Sequence, residues 1–263
     1  MSLIWTIILA IVQGLTEFLP VSSSGHLTIL GAIEGLSEKD ALVFFLVLHM
    51  GTLLATLVYF WRELLDLALG AFKGRSDAWR YIGLMVVTSI PTAIIGLSLK
   101  GVVERAVTHP AVAGGFLLFT ALFLWGTRYL PRGTKTDGTI SWLDAALIGT
   151  AQGVAVFPGI SRSGATISSA LARGLEPEAA FRFSFIASLP AIAGAFLLDA
   201  RDALSSANPH LADDVVGFSI AFIVGLAALW LLKRVVDKGR LYQFSLWCLI
   251  VGLAGIGVWF FKG

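Results

Sequence analysis

Long apolar runs separated by short polar breaks set the rhythm of this chain. Uninterrupted apolar stretches lie at about 41–61, 81–99, 111–127, 179–198, 215–232 and 242–261. Each approaches the ~20 residues that a helix needs to cross about 30 Å of hydrocarbon, so the pattern predicts six full crossings in an all-α integral membrane protein. Two further apolar stretches, about 3–19 and 142–157, stop at Pro20 and at Pro158-Gly159. The runs that follow them, about 22–33 and 161–173, have some 12 residues and reach only about 18 Å as helix. The economical reading is two re-entrant helical hairpins, each turning at its proline and leaving by the face it entered. Lipid tolerates such irregular backbone only where protein buries it.

The two hairpins are related. Shifting the chain by 139 positions lays QGLTEFLPVSSSG (13–25) on QGVAVFPGISRSG (152–164), with Gln, Gly, Phe, Ser, Ser and Gly coinciding without a gap. The same register places Phe44 on Phe183, Arg62 on Arg201 and Glu63 on Asp202, so one offset holds over about fifty residues. A single membrane domain over residues 1–263 is expected, with one repeat at about 1–130 and a second at about 140–263. A re-entrant pair makes no net crossing and three crossings follow the first pair. The second pair therefore enters from the opposite face, giving an inverted-topology repeat whose hairpin tips meet near the midplane.

Composition agrees with this pattern. The 263 residues are 57% hydrophobic and 14% charged, and the mean hydropathy is +0.84, outside the range of soluble domains. The one cysteine, Cys248, excludes an intrachain disulfide and a cysteine metal cluster. The N-terminus lacks a signal-peptide layout. The net charge of +2 says less than its distribution. Loops on the face of the second hairpin carry thirteen basic residues: Arg62, Lys73, Arg75, Arg80, Arg128, Arg132, Lys135, Arg173, Arg182, Lys233, Arg234, Lys238 and Arg240. The other face carries five: Lys39, Lys100, Arg105, Arg201 and Lys262. The positive-inside rule then predicts the second hairpin on the cytoplasmic side and both termini outside.

The polar residues gather at the two tips. Ser22, Ser23 and Ser24 open one short helix, and Ser161, Arg162 and Ser163 open the other. Serine caps helix starts, and two such starts facing each other, with Gly164 and Thr166 just beyond, would form an anion site. Arg162 is costly at membrane depth and calls for an anionic partner; its planar fork suits phosphate or carboxylate. Gln13 and Glu17 share one helix face. Glu17 could serve as a general base, as a ligand for Mg²⁺ or Ca²⁺, or as the counter-ion of Arg162. His26, three residues after Ser23, could activate that serine, accept a phosphoryl group or protonate a leaving group. His49, inside a crossing, is read as structural. No nucleotide loop, HExxH or nucleic-acid pattern is present, so a nucleic-acid partner is not expected.

QGLTEFLPVSSSGH and PGISRSGAT resemble the two signature segments of the undecaprenyl-diphosphate phosphatases, also called bacitracin-resistance proteins, and the similarity in length and layout covers essentially the whole chain. That resemblance implies a bacterial inner-membrane hydrolase, with its site open to the outer face, that regenerates undecaprenyl phosphate for cell-wall synthesis. It carries catalytic roles onto Glu17, Ser23, His26 and Arg162, and substrate contacts onto Gln13, Ser22, Ser24, Ser161, Ser163, Gly164 and Thr166. The family's first acidic position is Gln13 here, leaving one carboxylate, Glu17, for a divalent cation, Mg²⁺ or Ca²⁺. The expected partners are a polyprenyl diphosphate, membrane lipids and, as one arrangement, a second copy in a homodimer. The competing reading is a secondary transporter or flippase for an anionic lipid or solute, because inverted repeats with paired half-helices also build transporters.

Overall fold

The computed structural model describes residues 2–34, 38–107, 109–194, 196 and 211–262. They are helical throughout apart from turns and one isolated bridge between Lys135 and Leu175. The first hairpin is α1 (Leu3–Thr16) and α2 (Ser23–Glu34); α3 (Glu38–Tyr59) follows. Their counterparts are α7 (Trp142–Val154), α8 (Arg162–Ala172) and α9 (Pro177–Ile186), each starting 139 residues later. Between them run α4 (Trp61–Phe72), α5 (Ser76–Val107) and α6 (Pro110–Gly126), and the chain closes with α10 (Leu211–Asp237) and α11 (Phe244–Lys262).

Helix starts follow local chemistry. Ser2 caps α1 by accepting the Trp5 N–H, and Ser141 with Asp144 forms a reciprocal capping box at α7. Pro110 and Pro177 occupy the first helical position of α6 and α9, where a missing N–H costs nothing.

Among the described residues, four helices are long and apolar enough to span a membrane: Ser76–Val103, Pro110–Tyr129, Ala212–Asp237 and Leu241–Phe260. These correspond to the expected crossings at 81–99, 111–127, 215–232 and 242–261. The crossing expected at 41–61 is α3, and it ends in a feature the apolar pattern did not reveal. At Phe60 the chain bends by 68° into α4. Trp61, Leu65, Leu69 and Phe72 are exposed along one side of α4, while Arg62, Lys73 and Arg75 supply charge around it. An amphipathic helix of this kind suits a position along the membrane surface. The crossing expected at 179–198 breaks in a turn at 187–188 before helix resumes at 189–194; its last residues, with Asp199, Arg201 and Asp202, lie outside the described residues.

The repeats interlock instead of lying side by side. α1 packs along α10 and α7 packs along α5, so each entering half-helix lies on the long helix of the other repeat. Hydroxyl groups bind the second of these pairs: Thr88 donates to the Ala145 carbonyl at 3.2 Å and Thr92 to the Gly149 carbonyl at 2.9 Å. Such bonds and small residues hold helices together where lipid supplies no hydrophobic drive. An aromatic cluster of Phe18, Phe60, Phe181 and Phe185, with centroid separations from 5.0 Å for Phe181–Phe185 to 6.0 Å for Phe60–Phe185, wedges the first tip against the second repeat.

Gly159 is the most constrained residue of the second tip. Its φ of +101° is open to glycine and strained for other residues, and a Cβ there would lie 2.2 Å from the Ala113 carbonyl oxygen. Gly159→Ala is therefore expected to cost at least about 2 kcal/mol from backbone strain and steric conflict. That corresponds to a fall of at least about 5 °C in the unfolding midpoint in detergent. An unchanged midpoint would mean that the second tip is not packed on α6 as described.

Candidate active site

Each tip is built so that a helix begins where the chain has turned. At the first, Glu17 still donates its N–H to the Gln13 carbonyl, the chain turns through Pro20, and Ser22 adopts a positive φ of 66° before α2 starts. The strained Ser22 backbone persists because its hydroxyl accepts two N–H groups, from Gly25 at 3.3 Å and from Gly159 of the other tip at 3.0 Å. At the second tip the Ser161 hydroxyl accepts the Gly164 N–H at 3.1 Å. Thr120 of α6 clamps that turn, accepting the Ser161 N–H at 3.2 Å and donating to the Gly159 carbonyl at 2.7 Å.

The tips touch through two contacts related by the repeat. A Cβ on Gly25 would lie 3.0 Å from Gly159 Cα, and a Cβ on Gly164 would lie 3.2 Å from Pro20 Cβ; Gly164 and Gly159 stand 139 positions after Gly25 and Pro20. The starts of α2 and α8 thus converge, bringing two sets of unpaired helix-start N–H groups to one place.

Glu17 lies at the junction. Arg162 bonds its Oε1 across the repeats, and on Oε2 the Ser23 hydroxyl donates at 2.6 Å and the Gln13 amide at 3.1 Å. His49 Nε2 stands 3.6 Å from the same oxygen. The carboxylate is nearly enclosed, with 9% of its side chain exposed, whereas the guanidinium keeps 28%. The cation therefore has donors left over for a ligand. A cavity of about 270 Å³ opens beside the pair, lined by Glu17, Ser22, Ser23, Ser24, Ser161 and Arg162, together with Thr16, His49, Thr92, Gln152, Ala155, Val156, Ile160, Ala191 and Ile192. A cationic fork, a serine hydrogen-bonded to a carboxylate and two helix starts around a small cavity can bind a phosphate and attack it.

The same residues lie in the segments by which the chain can be compared with known proteins. Residues 6–254 match the family described as Bacitracin resistance protein BacA. The chain belongs to that family. It is 45% identical over 268 residues to an undecaprenyl-diphosphatase of Desulfosudis oleivorans, covering 96% of both chains. It is also 41% identical over 271 residues to one of Desulforapulum autotrophicum, covering 97% of this chain and 98% of the relative. A third, from Desulfatibacillum aliphaticivorans, is 39% identical over 262 residues, covering 94% and 95%.

Within this candidate site the sequence-expected residues take two positions. Glu17, Ser22, Ser23, Ser24, Ser161 and Arg162 face the cavity. Gln13, His26, Ser163, Gly164 and Thr166 stand behind it. Gln13 holds Glu17; the Ser163 hydroxyl donates to the Leu19 carbonyl of the other tip at 3.4 Å; Thr166 donates to the Arg162 carbonyl at 2.9 Å. His26 is not paired with Ser23. Its Nδ1 meets the Ser22 carbonyl at 2.8 Å, so that nitrogen carries the hydrogen, and its Nε2 accepts from the Trp247 indole at 2.9 Å. Both ring nitrogens are engaged, and the ring ties the first tip to α11.

Trp247→Phe tests what that tie does. It removes the donor to His26 Nε2, and the expected result is a loss of about 1–2 kcal/mol in stability with less than about tenfold loss of activity. A loss as deep as that of Ser23→Ala would instead place the imidazole in the chemistry.

Four polar cavity residues were not assigned to the site from the sequence: Thr16, His49, Thr92 and Gln152. His49 turns its Nδ1 to the Phe45 carbonyl at 2.7 Å and leaves Nε2 facing Glu17. Gln152, the repeat partner of Gln13, donates to Thr92 at 3.1 Å, and its Oε1 is buried without a partner, as is that of Gln13. The signal for Gln152 was in the repeat alignment itself. Where repeat one has Glu17 for the glutamine to hold, repeat two has Val156.

Among the described residues no three His, Cys, Asp or Glu side chains gather as a metal cage. The oxygen donors that the cavity lining offers a cation include the Glu17 carboxylate and the unpartnered amide oxygen of Gln152. This set suits a hard cation that arrives with phosphate oxygens and water to complete its shell, not one caged by protein alone.

Proposed function

We propose that this protein hydrolyses undecaprenyl diphosphate to undecaprenyl phosphate and inorganic phosphate, recycling the lipid carrier of cell-wall synthesis. The observation that carries the reading is the three-part contact at the junction of the tips: Ser23 Oγ 2.6 Å from Glu17 Oε2, with Arg162 on the other carboxylate oxygen. An incoming diphosphate competes with Glu17 for the guanidinium. As Arg162 turns to the phosphate, Glu17 loses its counter-ion and is left to accept the proton of Ser23. The serine oxygen forms a bond to the terminal phosphorus while the bond from phosphorus to the bridging oxygen breaks. Undecaprenyl phosphate leaves with that oxygen. Glu17 gives the serine proton up to the departing lipid phosphate and is a base again; water then attacks the phosphoserine as Glu17 takes its proton, the bond from phosphorus to the serine oxygen breaks, that oxygen recovers a proton from Glu17, and inorganic phosphate departs. Arg162 and the starts of α2 and α8 neutralise charge on the transferring group, which is where most of the catalytic work lies in phosphoryl transfer.

A divalent cation, Mg²⁺ or Ca²⁺, would be held by Glu17 and the substrate phosphates, and would supply further charge neutralisation. The site needs one chain only, since both tips belong to it, so a homodimer would be incidental to catalysis. The thirteen-to-five bias of basic residues supports placement in the inner membrane with both termini outside.

The test is phosphate release from undecaprenyl diphosphate by the purified protein in detergent, where vectorial transport has no meaning, with acid quenching during turnover. One phosphate per lipid and an acid-stable adduct on Ser23 are expected. Absence of phosphate release overturns the phosphatase reading; release without any serine adduct overturns the covalent step and leaves direct attack by water.

A further inference from the structure

Two apolar hollows of about 490 and 480 Å³ lie along α6 and share Phe119, Val154 and Ile160, so they form one furrow. Val112, Gly115, Phe116, Phe119, Phe123 and Gly126 make its α6 wall. From Val112 to Gly126 that wall runs about 21 Å, most of the thickness of the hydrocarbon. The opposite wall comes from the second hairpin: Val154, Phe157 and Ile160 near the tip, and Ala151, Ala165 and Ala172 farther down. Phe116 and Phe157 stack across the upper end with ring centroids 4.8 Å apart.

One residue connects this furrow to the chemistry. Ile160, only 4% exposed, lines both hollows and also the polar cavity that holds Glu17, Ser23 and Arg162. An apolar chain that leaves the polar cavity toward α6 passes this side chain. Neighbouring glycines on α6 show which side the furrow occupies. A Cβ on Gly114 would lie 2.6 Å from the Gly252 carbonyl of α11, whereas a Cβ on Gly115, or on Gly126, meets no atom within 4 Å.

We infer that this furrow is the track of the substrate's polyprenyl chain, with Ile160 as the sill between headgroup and tail. The inference rests on the function proposed above and specifies how that substrate is held. Aromatic walls alternating with the gaps left by glycine and alanine match a methyl-branched chain, whose bulk recurs along its length. The chain comes from lipid, not from water, so its seating brings no hydrophobic gain and acts through packing alone. Its contribution is therefore moderate and directed at orienting the diphosphate.

Gly115→Phe fills the furrow from a position with free space, and Leu122→Phe, on an exposed site of the same helix that lines neither hollow, is its control. On undecaprenyl diphosphate, Gly115→Phe is expected to lower kcat/KM about tenfold, mainly through KM, and Leu122→Phe to leave it unchanged. On wild-type protein, a prenyl diphosphate carrying a photoreactive group along its chain should label residues 112–126 and 154–160. This arm does not depend on how any variant folds. Labelling confined to other helices, or equal kcat/KM for Gly115→Phe and wild type, overturns the track. Labelling of the furrow without turnover by wild-type protein would leave the track standing and remove the phosphatase reading, so the two failures are distinct.

Discussion

Arg162→Ala is expected to lower kcat/KM for phosphate release by about 10²–10³, the loss typical of removing one preorganised donor from a developing anion. The diphosphate must be neutralised in a cavity of about 270 Å³, and among the described residues Arg162 is the one Lys or Arg that lines it. Arg162→Lys should recover only part of the loss, because an ammonium is a point charge and cannot offer two parallel N–H groups to a phosphate. Folding should survive Arg162→Ala. Glu17, left without its counter-ion, can neutralise itself by taking up a proton while keeping its bonds to Ser23 and Gln13. The check is steady-state kinetics beside the detergent unfolding midpoint. Full activity in a folded Arg162→Ala protein would remove the guanidinium from the mechanism.

Glu17→Gln is expected to be worse on both counts. Its amide keeps the size of the side chain but cannot take the proton of Ser23, and loss of a general base typically costs about 10²–10⁴ in rate. It also leaves Arg162 uncompensated, and a guanidinium cannot shed its proton. Breaking a fully buried pair in this way costs about 3–5 kcal/mol; with 28% of the Arg162 side chain exposed the loss should be smaller. The asymmetry has a consequence. Adding Arg162→Gln to Glu17→Gln should restore stability toward wild type while activity stays absent. If the double variant is less stable than Glu17→Gln alone, the two side chains do not compensate each other as described.

Much of this arrangement was legible in the chain. The offset of 139 places the starts of α1, α2 and α3 on those of α7, α8 and α9, and the cost of an arginine at membrane depth pointed to an anionic partner, which the structure supplies as Glu17. What was not legible depends on tertiary placement. The apolar pattern runs through Phe60 without interruption, so nothing local announces the 68° bend or the surface helix α4. His49 sits in an apolar helix and reads as structural until α3 turns it toward the cavity. The spacing of Ser23 and His26 suggested a catalytic pair; Trp247, 221 residues away, claims the imidazole instead. Gln152 was aligned with Gln13, yet only the packing of α7 on α5 shows that its amide oxygen ends buried beside the cavity.

The claim beneath all of these is that the two tips touch. It is tested by replacing Cys248 with alanine and introducing Pro20→Cys with Gly164→Cys, whose Cβ separation of 3.2 Å is close to the ~3.5–4.5 Å that a disulfide spans. After mild oxidation and proteolytic cleavage between the repeats, the two fragments should remain joined until reduced. Fragments that separate without reductant, from protein shown to be folded, would contradict the shared site and with it the chemistry assigned to Glu17, Ser23 and Arg162.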